Sequence, residues 1–136
     1  MKAMVDTGLL VALLHDGDQY HRWATEISEQ ISWPVLTCEA VLAEAAFHLR
    51  SSKEVLGMLR DDLVRVAFDC ASHLEHLREL AARYSDRRPD LADLCLIRMS
   101  ELYPKHIAIT IDEGDFRVYR RNKREIIPLL CPPRRK

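Results

Sequence analysis

The chain has 136 residues, 48% hydrophobic and 30% charged, with a formal net charge of −1. That is long enough for a buried core, and the composition excludes a disordered chain. No apolar run approaches the roughly 18 residues of a membrane span, and the near-neutral charge by itself argues neither for nor against nucleic acid.

Ala3-Met4-Val5 reads as a first strand, followed by the turn Asp6-Thr7-Gly8 and a helix from Leu9 to Leu14. His15-Asp16-Gly17-Asp18 breaks that helix. A second helix is expected from Gln19 to about Ile31, with Trp23, Ile27 and Ile31 along one face. Trp33 to Leu36 reads as a second strand. Thr37 is the expected N-cap of a helix opened by Glu39 and Ala40 and carrying Val41, Leu42, Ala45 and Leu49. Another helix covers Lys53 to Arg60, a third strand Leu63 to Val66, and a long amphipathic helix Cys70 to Tyr84. Ser85 to Pro89 is a loop. Asp90 starts a helix that Pro104 stops near Leu102, and Ile107 to Thr110 reads as a buried strand. An acidic turn from Thr110 to Phe116 leads to a last strand around Ile126 to Pro128. Short strands alternating with longer helices imply one α/β domain over residues 1–136, a three-layer α/β/α sandwich with a mostly parallel sheet.

Cys38, Cys70, Cys95 and Cys131 are scattered, with no C-x-x-C pair, and are expected to be buried free thiols rather than a zinc site or disulfide framework. Asp6 and Gly8 interrupt the apolar start and no cleavage pattern follows, so the expectation is a cytoplasmic protein without a signal peptide. Five of the eight residues from Arg117 to Arg124 are basic, and the chain ends in Arg134-Arg135-Lys136. A cluster of this kind attracts phosphates even on a near-neutral protein, although a solvated face explains it equally well.

The acids carry the chemistry. In an open parallel sheet, sites form beyond the C-terminal strand ends, where Asp6 and Asp112 stand. Asp90 and Asp93, at i and i+3, share one face of a first helical turn. Capping and the helix dipole alone favour an aspartate at each of these places. Glu44 is different, because it falls inside the apolar helical run Ala40 to Phe47, where a solvated charge is less expected. Glu39 competes for its role, but five positions rotate the two side chains by roughly 140°, so they cannot share a site. Glu39 is explained as a dipole partner at the helix start. Neighbouring carboxylates repel, and a hard cation such as Mg²⁺ or Mn²⁺ relieves that cost. A cation so held polarises a phosphate and activates water, as phosphodiester hydrolysis requires.

Val5-Asp6-Thr7-Gly8-Leu9-Leu10-Val11-Ala12-Leu13-Leu14 resembles the opening motif of PIN-domain proteins. In the same order follow Val41-Leu42-Ala43-Glu44, Pro89-Asp90-Leu91-Ala92-Asp93 and Ile109-Thr110-Ile111-Asp112-Glu113-Gly114-Asp115-Phe116. The resemblance implies a PIN fold and a Mg²⁺- or Mn²⁺-dependent ribonuclease. It puts Asp6, Glu44, Asp93 and Asp112 on the family's acidic positions, Asp115 on a further acid, and Asp90 as an accessory acid. Thr7 and Thr110 are expected to steady the cluster through their hydroxyls. Many proteins of this length in the family are VapC-type toxins, which implies an antitoxin partner and a homodimer. Arg117, Arg120, Arg121, Lys123 and Arg124 are the candidates for guiding the RNA backbone.

Two other readings compete. An aspartyl phosphatase resembling the haloacid-dehalogenase type needs D-x-D after its first strand, and Gly8 stands where the second acid belongs. A catalytically inactive PIN-like module binding nucleic acid or protein is the other, and the filled acidic positions count against it. His73 and His76 read as a solvated face. Trp23 and Trp33 read as core, and His15, His21 and His48 as neighbours of the site at most.

Overall fold

The computed structural model describes residues 1–134, so Arg135 and Lys136 of the terminal basic run lie outside the described residues. Strand β1 (Ala3–Val5) leads into helices α1 (Thr7–Leu14) and α2 (His21–Ser28) and strand β2 (Val35–Thr37). Helices α3 (Glu39–Leu49) and α4 (Lys53–Arg60) precede strand β3 (Val64–Val66). Then come a tight turn at Cys70–His73, helix α5 (Leu74–Arg83), a second tight turn at Ser85–Arg87, helix α6 (Leu91–Leu102) and strand β4 (Ile107–Ile109). The one-turn helix α7 (Glu113–Phe116), strands β5 (Arg120–Arg121) and β6 (Glu125–Ile126), and strand β7 (Leu129–Leu130) complete the order.

The main sheet runs β3-β2-β1-β4-β7, with each neighbouring pair parallel, between layers of helices in an α/β/α sandwich. Parallel strands covered on both faces need apolar residues throughout, and Ala3, Met4, Val5, Ala108 and Ile109 are all buried. From β1 the chain steps outward to β2 and β3, then returns to place β4 on the other side of β1. The C-terminal ends of β1 and β4 therefore flank the point where the strand order reverses, the usual place for a crevice.

Several boundaries differ from expectation for identifiable reasons. Helix α2 stops at Ser28 rather than Ile31: the Trp33 indole donates to the Ser28 carbonyl at 3.1 Å, and the Met1 amino group donates to the Gln30 carbonyl at 3.3 Å. Thr37 is not the cap of α3. It is the last residue of β2, its hydroxyl donates to the Val5 carbonyl at 2.9 Å, and Cys38 takes the cap position. The expected helix Cys70 to Tyr84 begins instead with a tight turn, where Ser72 N–H donates to the Asp69 carbonyl and His73 stacks on Phe68. Pro128 has no N–H to give a ladder, and the expected last strand divides around it. Glu125–Ile126 pairs antiparallel with β5, while Leu129–Leu130 joins β4.

The basic run is mostly committed to structure. Arg121 is only 7% exposed; its guanidinium pairs with Glu125 and donates to the Ser100 and Pro104 carbonyls at 3.0 and 3.2 Å. That removes Arg121 from the surface on which it was expected to meet RNA. Arg121→Ala is expected to lower stability by about 1–3 kcal/mol, because the buried Ser100 carbonyl loses its donor. Urea unfolding reads this directly; a loss below about 0.5 kcal/mol, the range of ordinary surface changes, would contradict it.

Candidate metal centre

Each acid is fixed by its local structure. Asp6 caps α1: its Oδ1 accepts from Thr7 N–H and its Oδ2 from the Thr110 hydroxyl, both at 2.8 Å. The Thr110 oxygen in turn accepts from Asp112 N–H at 3.0 Å, so one hydroxyl ties the end of β1 to the segment after β4. Glu44 lies in the middle of α3, and its Oε2 accepts from the Thr7 hydroxyl at 3.1 Å. Asp90 caps α6 by accepting from Asp93 N–H at 2.8 Å, which turns Asp93 inward. Asp93 is buried, and its Oδ2 accepts from the Tyr119 hydroxyl at 2.8 Å. The Thr7 and Thr110 hydroxyls thus each donate to a carboxylate of this group.

These side chains converge on one cavity of about 450 Å³ lined by Asp6, Thr7, Gly8, Val11, His15, Asp18, Glu44, His48, Asp90, Asp93, Ile111 and Asp112. Six of the lining residues are acids and none is lysine or arginine. Glu39 is exposed at the start of α3 and lines a different cleft, so α3 brings Glu44 alone to the acids. Gly8 has a steric role: a Cβ there would lie 2.5 Å from Ile111 Cγ1, so even alanine requires Ile111 to move. The same contact counts against an acidic side chain at this position, and so against the D-x-D alternative.

Crowding of like charge in a partly closed site favours the neutral form. Burial pushes Asp6 up to about 6, opposed by its bonds from Thr110 and Thr7 and reinforced by the Asp90 and Glu44 charges. Burial pushes Asp93 up to about 8, opposed by the Tyr119 bond and reinforced by Asp90, Asp6 and Asp112. Asp112 is raised too, chiefly by burial. The Tyr119 phenol, raised by burial and by the Asp93 carboxylate, keeps its proton and remains a donor.

Asp93, Asp112 and Asp115 place a carboxylate oxygen each within 4.8 Å of one another. Asp112 and Asp115 differ in surroundings. Asp112 faces the cavity with Asp6 and Glu44, whereas Asp115 Oδ1 accepts from Arg87 Nη1 at 2.7 Å and is partly neutralised. Among the histidines, His15 and His48 line the cavity, while His21 bonds the Ala12 carbonyl through Nδ1 at 2.7 Å. Of the remaining basic residues, Arg117 pairs with Glu113 at 2.9 Å and Arg120 donates to the carbonyls of Arg117, Val118 and Tyr119. Lys123 and Arg124 are exposed on the turn between β5 and β6.

Tyr119, Arg87 and Asp18 escaped the sequence reading. The one signal for Tyr119 was an aromatic residue inside a basic run, and that does not name its partner 26 positions away. Its ring packs edge-on against Tyr84 and Phe116, with centroids 5.0 and 5.2 Å apart, which fixes the hydroxyl on Asp93. Tyr119→Phe is expected to weaken Mn²⁺ binding about 10–100-fold, as loss of an outer partner of a metal ligand does. It also removes the bond that lowers Asp93, so the pH at which Mn²⁺ binding sets in moves upward. Mn²⁺ titration across pH reads both; unchanged affinity and profile would make Tyr119 purely a packing residue.

The sequence profile described as PIN domain matches residues 3–121 of the chain. No curated protein matches it. Among the described residues, no helix is long and apolar enough to cross a membrane.

Proposed function

The chain belongs to the PIN-domain family, and from that premise we propose that it is a Mg²⁺- or Mn²⁺-dependent endoribonuclease whose cation is held by Asp6, Glu44, Asp93 and Asp112. The observation that carries this reading is the cavity with six lining acids and no lysine or arginine. Two of those acids, Asp6 and Asp93, are pushed well above the ordinary carboxylate range. Carboxylates held in that way lack a positive charge, and an all-oxygen donor set suits a hard divalent cation. Asp115, within reach of Asp93 and Asp112 but paired with Arg87, is the accessory member, as is Asp90.

When bound, such a cation polarises a phosphate oxygen and lowers the pKa of water, so no histidine or lysine base is needed. The chain's own part is orientation. Tyr119 holds one oxygen of Asp93 and Thr7 holds one of Glu44, while Asp93 Oδ1 and Glu44 Oε1 have no protein donor among the described residues. Thr110 holds Asp6 and the Asp112 backbone together, so the two strand ends move as one unit. Arg117, Arg120, Lys123 and Arg124 supply positive charge for RNA phosphates, which positions the substrate without reading its sequence.

The finer parts are a VapC-type toxin role, an antitoxin partner, a homodimer and a cytoplasmic location, in a single domain over residues 1–136. The resemblance of the motifs supports the first three. The test is incubation of a mixed RNA pool with Mg²⁺ or Mn²⁺, with chelator and Asp6→Asn controls. Metal-dependent cleavage that the variant loses supports the reading; RNA retained uncut by wild type favours the inactive binding module instead.

A further inference from the structure

Away from the acid cavity, the fold gathers three of the four cysteines that the sequence scatters. Cys70, on the tight turn before α5, places its Sγ 3.3 Å from the Sγ of Cys95 on α6. Cys38, the cap residue of α3, has its thiol near that of Cys95. The three thiols do not have equal access. Cys38 and Cys95 are buried, whereas Cys70 is half-buried and lines an apolar groove of about 550 Å³ with Leu74, Leu77 and Leu91.

We propose that Cys70 and Cys95 form an oxidisable dithiol, with Cys70 as the entry sulfur and Cys95 as the resolving one. A disulfide needs its sulfurs at about 2.05 Å, so closure requires roughly 1.3 Å of approach, within reach of small side-chain rotations. The co-reactant is a peroxide, a small two-electron oxidant whose neutral form suits an apolar groove. The Cys70 thiolate attacks one peroxide oxygen; the S–O bond forms as the O–O bond breaks, and hydroxide leaves. The Cys95 sulfur, having given up its proton, then attacks the Cys70 sulfenic sulfur. The S–S bond forms, the S–O bond breaks, and the oxygen departs as water. The product ties the turn preceding α5 to α6, and a dithiol reductant restores both thiols. This site is independent of the nuclease reading, since neither sulfur lines the acid cavity.

The test treats the reduced full chain with hydrogen peroxide, blocks remaining thiols, and measures intact mass and a non-reducing peptide map. The expected result is a loss of two hydrogens and a peptide containing Cys70 joined to one containing Cys95, both reversed by dithiothreitol. Cys70→Ser is expected to abolish the link, and Cys131→Ser to retain it. A Cys38–Cys95 link, sulfinic acid accumulating at Cys70 without a link, or a mass that never falls would each overturn the proposal. The wild-type map decides the matter even if a variant folds poorly.

Discussion

Asp93→Asn is expected to cut metal-dependent RNA cleavage by about a thousandfold, the equivalent of roughly 4 kcal/mol of lost charge stabilisation. The fold should survive the change. Asparagine has the same shape, its amide oxygen still accepts from Tyr119, and the backbone bond from residue 93 to Asp90 does not involve the side chain. Replacing a carboxylate that burial, reinforced by its acidic neighbours, pushes up to about 8 removes a buried charge, so the metal-free variant is expected to be at least as stable as wild type near pH 8. Loss of activity without loss of stability is the signature of a residue kept for function at a cost in stability. Single-turnover cleavage and urea unfolding on the same preparations check both halves. Equal activity in wild type and variant would remove Asp93 from the site.

The metal-free protein is expected to lose stability as pH rises from about 5 to 8. In the unfolded chain an aspartate titrates near 3.9, whereas in the fold Asp6 is raised to about 6 and Asp93 to about 8. Between those values the folded state binds more protons than the unfolded one. The contribution of these groups is therefore fully present below about pH 4 and lost as pH passes the folded values. At about 1.4 kcal/mol per unit, about one unit for Asp6 and about three for Asp93 lie in this window, a loss of order 5 kcal/mol. Saturating Mn²⁺ offsets about half of that loss at pH 8, adding roughly 2.7 kcal/mol at a hundred times its dissociation constant, and acts weakly at pH 5, where protons compete. Asp93→Asn removes the upper part of the profile, which separates this effect from every other titrating group. Thermal or urea midpoints against pH, with and without Mn²⁺, measure it; a metal-free profile that rises from pH 5 to 8 in wild type and variant alike would contradict it.

Much of the architecture could be read from local pattern. Ala3 to Val5, the break at His15 to Asp18, and the helix between Asp90 and Pro104 all lie where expected, because each is set by nearby apolar spacing, caps and breakers. The preference for Glu44 over Glu39 needed only helical rotation, and the cavity contains the first and excludes the second. Errors fell where a distant group decided the outcome. Helix α2 ended early where Trp33 bonds its last carbonyl, that of Ser28, and Met1 bonds that of Gln30 just beyond it, and Thr37 stayed in its strand to bond Val5. The run from Arg117 to Arg124 looked uniform as charge. In space Arg121 is buried while Lys123 and Arg124 are exposed.

The sequence by itself determined which acids stand at strand ends and helix starts, since periodicity and capping act over a few residues. Only the tertiary structure decided which of them meet and what holds them. Thr110 joins Asp6 across 104 positions, Thr7 joins Glu44 across 37, and Tyr119 seats Asp93 across 26. It also separated Asp112, open to the cavity, from Asp115, paired with Arg87. The physical reason is that hydrogen bonds and charge repulsion depend on distance in space, which packing sets and residue spacing does not encode.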